Sequence, residues 1–328
     1  MTTTLRKTVT LLDGGTGEEL FARGLPDDRR IWSATALVHE QHHKLLREVH
    51  TSFLHANADY ITCNNYGVTP GVGFSDDEIV RYTTVAGRVA REACDKWRTT
   101  HTTRPKLKIC GSLPPLLESY RTDKVPGHKE GVRLYAMIAR TLKPFVDCYL
   151  AETLSSIQEA KMALLGVQQA RSGESDGAVG VMVSFTLNSH GRLRGGEKVC
   201  DVAEELMSFS ADMSGAELQA ILFNCSQPEA ICKALGELHN DDNIHASLRS
   251  RGVRLGAYAN RLTVIPDDWA LAESSEPQAM RTDLAEERYR DFVSQWVELG
   301  AEIVGGCCGI GPEYIASIHG MLQQQGRR

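Results

Sequence analysis

Eight short apolar, β-branched runs alternate with amphipathic segments along the whole chain, and this rhythm restricts the fold more than any other feature. The runs are Val9–Leu12, Ala58–Cys63, Leu107–Gly111, Val146–Glu152, Ala178–Ser184, Leu218–Asn224, Val253–Tyr258 and Glu302–Gly305. Between them the apolar spacing turns helical. Leu45, Leu46, Val49, Phe53 and Leu54 share one face of a helix expected over His39–Asn57, and Ile79, Tyr82, Val85, Val89 and Ala93 share one face of the next. Strands that each hand over to a helix before the next strand lie parallel, and eight of them close into a (β/α)8 TIM-type barrel. The expectation is therefore one barrel domain over residues 1–328, with its active site at the carboxyl ends of the strands. A doubly wound sheet is the alternative, but it usually has about five or six strands and a phosphate-binding fingerprint. The glycine-rich stretch Asp13-Gly14-Gly15-Thr16-Gly17 lacks the lysine of a phosphate loop, and Leu20 stands where a dinucleotide fingerprint needs glycine.

The residues at those strand ends share a character. They are Asp13, Thr62 with Cys63 and Asn64, Ser112, Glu152, Ser184, Cys225, Asn260, and Cys307 with Cys308. Polar or reactive groups at one end of every strand are what the catalytic face of such a barrel requires. Long irregular stretches follow the same ends, at Tyr66–Asp77, Leu113–Lys129, Thr186–Glu197 and Arg261–Arg281, and loops of that length usually serve as lids or binding loops. The acidic part, Pro266–Glu276, reads as a lid or an interface between copies.

The sharpest local signal is Gly305-Gly306-Cys307-Cys308-Gly309. Neighbouring side chains of a strand face opposite ways, so two adjacent thiols share a target only if the glycines let the backbone leave the strand. Cys225 lies one step past the sixth run, and in a closed barrel it would meet Cys307 and Cys308 at the mouth. Three thiolates form a soft site suited to one zinc ion with the fourth position open, as in catalytic sites. The competing reading is three unrelated buried thiols. Asp13 sits in a tight turn that either aims its carboxylate into the mouth or caps the following helix. Glu152 ends a mostly apolar run and needs a cation, either a substrate ammonium or a protein partner such as Arg192 or Arg194. A literal H-E-x-x-H match, His39-Glu40-Gln41-His42-His43, would suit a metalloprotease helix, but the apolar face of its segment lies elsewhere.

Nine cysteines, odd in number and without a C-x-x-C pair, argue for a reducing compartment rather than a disulfide framework. A net charge of −6 gives no reason to expect nucleic acid or an anionic membrane as partner, and no run is long enough to span a bilayer. Residues Met1–Thr8 hold no apolar stretch of a secretory signal, so the expected location is the cytoplasm. A homo-oligomer is left open.

Taken in order, these pieces resemble the zinc-dependent homocysteine S-methyltransferase family from the first strand to the last helix. The resemblance rests on Leu12-Asp13-Gly14-Gly15, Trp32-Ser33-Ala34, Ala58-Asp59-Tyr60-Ile61-Thr62, Gly111-Ser112-Leu113 and Glu152-Thr153. It continues through Gly191-Arg192-Leu193-Arg194, Asn224-Cys225, Ala257-Tyr258-Ala259-Asn260 and Gly305-Gly306-Cys307-Cys308-Gly309. It implies that Cys225, Cys307 and Cys308 bind catalytic Zn2+ with the substrate thiolate as fourth ligand. It also implies that Asp13 and Glu152, with Gly14 and Asn224 beside them, bind homocysteine. The implied reaction is methyl transfer to homocysteine from a sulfonium donor, S-methylmethionine or S-adenosylmethionine, giving methionine; betaine serves a related branch. The cobalamin-dependent synthases carry a similar barrel with further domains, for which 328 residues leave no room. The sequence departs from the family at Asn57, where glycine is usual, and at Cys63-Asn64-Asn65-Tyr66, where Thr-Asn-Thr-Tyr is common. Other classes consistent with the cysteines are a thiol-redox sensor using Cys307 and Cys308, and a zinc-binding barrel without catalysis.

Overall fold

The computed structural model describes residues 7–28, 30–101, 107–173, 177–266 and 278–328. All eight expected strands form: β1 (Thr10–Leu11), β2 (Tyr60–Thr62), β3 (Lys108–Leu113), β4 (Cys148–Leu154), β5 (Val179–Phe185), β6 (Ala216–Asn224), β7 (Arg254–Tyr258) and β8 (Ala301–Val304). Each pairs in parallel with its neighbours in chain order, and β8 returns to β1. The last seam, between β1 and β2, is a single parallel bridge from Leu12 to Tyr60. The Asp13 amide donates to the Tyr60 carbonyl (3.1 Å) and the Asp59 amide to that of Leu11 (2.7 Å), so the barrel closes there. This is the (β/α)8 TIM-type barrel that the alternation predicted.

Strand periodicity sorts the side chains into two cores. Leu12, Tyr60, Cys110, Cys148, Leu150, Met182, Leu222, Tyr258 and Ile303 stand on or directly beside the eight strands and form one buried cluster, the barrel interior. A much larger cluster fills the space between strands and surrounding helices, with Phe53, Tyr135, Phe185, Phe223 and Trp296 fully buried. One step above the interior layer, at i+2 along the same faces, stand Thr62, Ser112, Glu152, Ser184 and Asn224. The apolar plug of the barrel is therefore capped by a polar layer at its carboxyl end, and that layer is the floor of the site.

The helix expected over His39–Asn57 is shorter. One helical turn, Thr35–Val38, is followed by His39 in extended backbone (φ −108°, ψ 112°), a 3-10 turn at Glu40–His42, and then the helix proper over His43–His55. Its buried face holds Leu46, Val49, Phe53 and Leu54 as the periodicity required. The break puts His39 and His43 on different elements, and His43 Nε2 lies 3.1 Å from the Leu37 carbonyl oxygen. The H-E-x-x-H match thus has no helix on which to act. Asn57, just past the end of this helix, adopts φ +70°. That left-handed position explains why glycine suits it and why asparagine, the next most tolerant residue, can replace it.

Among the described residues no helix is long and apolar enough to cross a membrane. The expectation for Pro266–Glu276 lies outside the described residues, apart from Pro266.

Candidate active site

A cleft of about 330 Å³ opens above the polar floor, lined by Asp13, Gly14, Glu152, Cys225, Cys307 and Cys308 among others. Each of these arrives through a local device. The backbone after β8 bends at Gly305 and Gly306 because its neighbours leave no room for a side chain. A Cβ on Gly306 would lie 2.1 Å from Ile310 Cγ2, and one on Gly305 2.7 Å from Leu12 Cβ. The turn is then held by the Gly306 amide on the Asp13 carbonyl (3.1 Å) and the Cys307 amide on the Ala259 carbonyl (2.9 Å). From the other side Gly14 and Gly15 press against this turn, where Cβ atoms would come within 2.1 Å of Ile310 O and 2.6 Å of Cys307 O. The glycines are there for close approach of the first and last strand ends, a tighter reason than the flexibility expected of them.

Cys225 reaches the same spot from β6 by taking φ +48°. Its sulfur lies 2.8 Å from that of Cys307, which is 4.0 Å from that of Cys308. All three sulfurs fall within 4.8 Å of one another, and no other group of three or more metal-binding side chains meets among the described residues. Hydrogen bonds from Cys307 and then Cys308, with Tyr120 and Asn260 contributing, hold the Cys225 thiol well below the ordinary range. The same contacts with Cys225 push Cys307 and Cys308 up.

The donor set fits a soft cation. Tetrahedral geometry at ~2.3 Å metal–sulfur distance places sulfurs about 3.8 Å apart, which the observed separations bracket. Cys225 is buried, whereas Cys307 and Cys308 are partly exposed to the cleft, so one side of the cluster stays open.

Asp13 does not cap the helix after it; the capping position is Gly15 and no side chain bonds there. Its carboxylate instead receives the Thr62 amide (2.7 Å) and the Thr62 hydroxyl (3.0 Å), extending the β1–β2 seam upward. Burial raises its pKa to about 7 against the pull of Thr62. Glu152 accepts a hydrogen bond from the Ser112 hydroxyl (2.5 Å) and has no cationic partner among the described residues. Burial raises its pKa to about 8, with Ser112 opposing and Asp13 and Cys225 adding to the rise. Arg194 goes elsewhere: its guanidinium stacks 5.5 Å from the Tyr120 ring centre and donates to the Ile265 and Pro266 carbonyls, fastening three loops at the rim. Asn224 is fully buried beneath the cleft, with its amide bonded to Thr153 and Ser184.

Several wall residues had no sequence signal as site residues. Trp32 lines the cleft from a 3-10 turn (Trp32–Ala34), Tyr66 and Tyr120 from loops. Trp32 and Tyr66 meet edge to face at 6.2 Å, and the Tyr66 hydroxyl lies 2.7 Å from the Ser119 oxygen. Asn64 and Asn65 in the atypical loop donate to the Ser33 (3.1 Å) and Ser112 (2.9 Å) carbonyls, so they tie the β2 loop to its neighbours. Among the described residues five non-glycine positions have positive φ, and four of them, Trp32, Tyr120, Thr153 and Cys225, line the cleft. Backbone strain is thus concentrated where function is.

The buried carboxyls set a stability dependence on pH. Asp13, Glu152 and Glu159, the last raised by burial to about 7, bind protons more tightly folded than unfolded. Their contribution is present at low pH and is lost as pH rises through about 7 to 8. Buried His50, lowered to about 4, acts oppositely but only below its ordinary value of 6.5. Between about pH 6.5 and 8 the unfolding free energy of metal-free protein is therefore expected to fall, by roughly 3 kcal/mol. Denaturant titrations across that range would show it, and Asp13→Asn/Glu152→Gln would reduce it to the part that Glu159 contributes. A wild-type profile that is already flat would contradict the burial of these groups.

Comparison with known proteins agrees along almost the whole length. A family model described as homocysteine S-methyltransferase matches residues 10–322. The chain is 25% identical over 332 residues to the homocysteine S-methyltransferase of Escherichia coli (strain K12), covering 95% of each. It is 23% identical over 324 residues to the homocysteine S-methyltransferase YbgG of Bacillus subtilis (strain 168), covering 94% of this chain and 92% of that one. The metallated form of the Escherichia coli homocysteine methyltransferase MmuM superposes with a TM-score of 0.74 at 22% identity, covering 96% of this chain and 97% of that one.

Proposed function

This chain belongs to the homocysteine S-methyltransferase family, and from that premise we propose that Cys225, Cys307 and Cys308 hold one zinc ion while Asp13 and Glu152 receive the ammonium of L-homocysteine. The observation that carries the reading is the convergence of three thiols, from β6 and β8, beside two buried carboxyls in one cleft. A metallated form of a similar enzyme, the Escherichia coli one, supports the metal.

When bound, zinc supplies acidity to the substrate thiol, whose free pKa near ~8.5 leaves only a few per cent thiolate at neutral pH. The protein supplies the rest. Glu152, with one oxygen on Ser112 and no protein cation among the described residues, takes the ammonium, and a proton held by its raised pKa leaves as the cation enters. Asp13, braced by Thr62, adds a second negative charge. Gly14 and Gly15 let the end of β1, which carries Asp13, close against the turn that carries Cys307. Aromatic walls at Trp32, Tyr66 and Tyr120 suit a cationic donor. A sulfonium donor leaves as a neutral thioether and needs no general acid, so positioning of thiolate and methyl in line is the main task of the walls. Asn224 braces the floor from below. We place this chemistry in one barrel domain, and nine free cysteines suit a reducing cytoplasm.

The test is an assay of zinc-loaded protein with homocysteine and S-methylmethionine, S-adenosylmethionine or betaine in turn, detecting methionine. Methionine is expected with a sulfonium donor and not with betaine. Absence of methionine with every donor would overturn the reading.

A further inference from the structure

Glu152 faces the cleft by the inward parity of β4, two residues past Leu150, and the backbone twists at the very next residue. Thr153 has φ +59°, a left-handed conformation that a β-branched residue rarely adopts. Nothing about threonine favours it, so something must hold it. The Asn224 side chain grips both the amide and the hydroxyl of that residue: Asn224 Oδ1 accepts the Thr153 amide (2.9 Å), and Asn224 Nδ2 donates to the Thr153 hydroxyl (2.8 Å), which also meets Tyr66. The side-chain amide is itself fixed by the Ser184 hydroxyl, which donates to the same Oδ1 (2.7 Å). All three residues are fully buried, at 0% exposure, so these bonds do not exchange with water. The β4–β5 register shifts between Ala151 and Leu154, around the twisted residue.

We propose that Asn224 is a positioning residue for the ammonium end of the homocysteine site: its amide clamps Thr153 in a strained conformation and so fixes the end of β4 on which the inward-facing Glu152 carboxylate is held. The proposal rests on the reading of Glu152 as the ammonium partner. It assigns Asn224 a role distinct from that of its neighbour Cys225, although the two are adjacent. Cys225 has anchors of its own. Its amide bonds to the Tyr258 carbonyl (3.4 Å), and the next residue, Ser226, bonds through its hydroxyl to the Asn224 carbonyl (2.7 Å) and the Leu187 amide (2.7 Å). None of these uses the Asn224 side chain. Removing that side chain therefore releases Thr153 and Glu152 while the thiol cluster keeps its place.

The experiment is a double-mutant cycle on the zinc-loaded enzyme with Asn224→Ala, Glu152→Gln and the pair, measuring homocysteine KM, kcat, zinc content and thermal midpoint. Asn224→Ala is expected to raise homocysteine KM about ten-fold or more, to keep stoichiometric zinc, and to add little in the Glu152→Gln background. If Asn224→Ala fails to fold, Asn224→Asp, which keeps the shape and the acceptor oxygen, takes its place, with a smaller KM increase expected and the same lack of additivity. Full additivity with Glu152→Gln, or loss of zinc from folded protein, would overturn the clamp. If Glu152→Gln alone leaves homocysteine KM unchanged, the ammonium reading itself fails, which is a separate result.

Discussion

Replacing Cys307 by serine is expected to lower kcat/KM by about a thousand-fold or more and to strip zinc from the purified protein, with the fold retained. The reasoning is chemical. Serine is nearly the same size, and Cys307 is partly exposed at a turn whose shape comes from glycines and backbone bonds, so packing changes little. Its hydroxyl, however, stays protonated at neutral pH and is a hard donor where the site needs soft thiolates. A substrate thiol then loses its activation, which is the chemical step itself rather than a binding preference. Circular dichroism and the thermal midpoint of metal-free protein should match wild type. Substantial methyl transfer by zinc-free Cys307→Ser would sink the role given to the cluster. Retained zinc with lost activity would confine Cys307 to a role other than ligand.

Glu152→Gln should act on homocysteine rather than on the metal. Homocysteine KM is expected to rise about thirty-fold or more, because losing one partner of a buried charge pair costs roughly 2–5 kcal/mol. Zinc content should not change. Asp13→Asn should do the same more weakly, since both Asp13 oxygens are already engaged by Thr62 and an asparagine can keep part of that brace. Steady-state kinetics with homocysteine and with its analogue lacking the amino group separate the cases. The variant should discriminate poorly between the two thiols, whereas the wild type strongly prefers the amine. Equal preference in wild type would remove the ammonium from the site.

How much of the molecule could be read from residues alone divides along physical lines. Strand periodicity is local, so eight runs and the polar groups at their ends were legible, and with them Asp13, Glu152 and the three cysteines. Closure of the barrel did the remaining work of bringing Cys225 to Cys307 and Cys308. Loop paths are not coded by any period, so Tyr66 and Tyr120 were legible only as members of long loops and Trp32 only as part of a resemblance motif, none of them as an individual site residue. The competing readings of Asp13 and Glu152 depended on contacts distant in sequence: the Thr62 bonds for one, the Ser112 bond and the diversion of Arg194 to the rim for the other. His39 shows the reverse failure: a motif assumes a helix, and here a break in the backbone divides the pattern. Asn224 was legible as a site residue but not in its direction. Its parity with Ala220 and Leu222 points it into the barrel, below the cleft, where it meets Thr153 instead of open space.

Three protein sulfurs that leave one metal position for the sulfur of homocysteine have a direct spectroscopic signature. Zinc-edge X-ray absorption on purified protein, before and after adding homocysteine, reads it. The expected result is one zinc per chain with three sulfur neighbours at ~2.3 Å and a lighter fourth ligand, changing to four sulfurs when homocysteine is added. A sulfur count that does not change with homocysteine, or protein that binds no zinc and instead cycles Cys307 and Cys308 through a reversible disulfide, would contradict it.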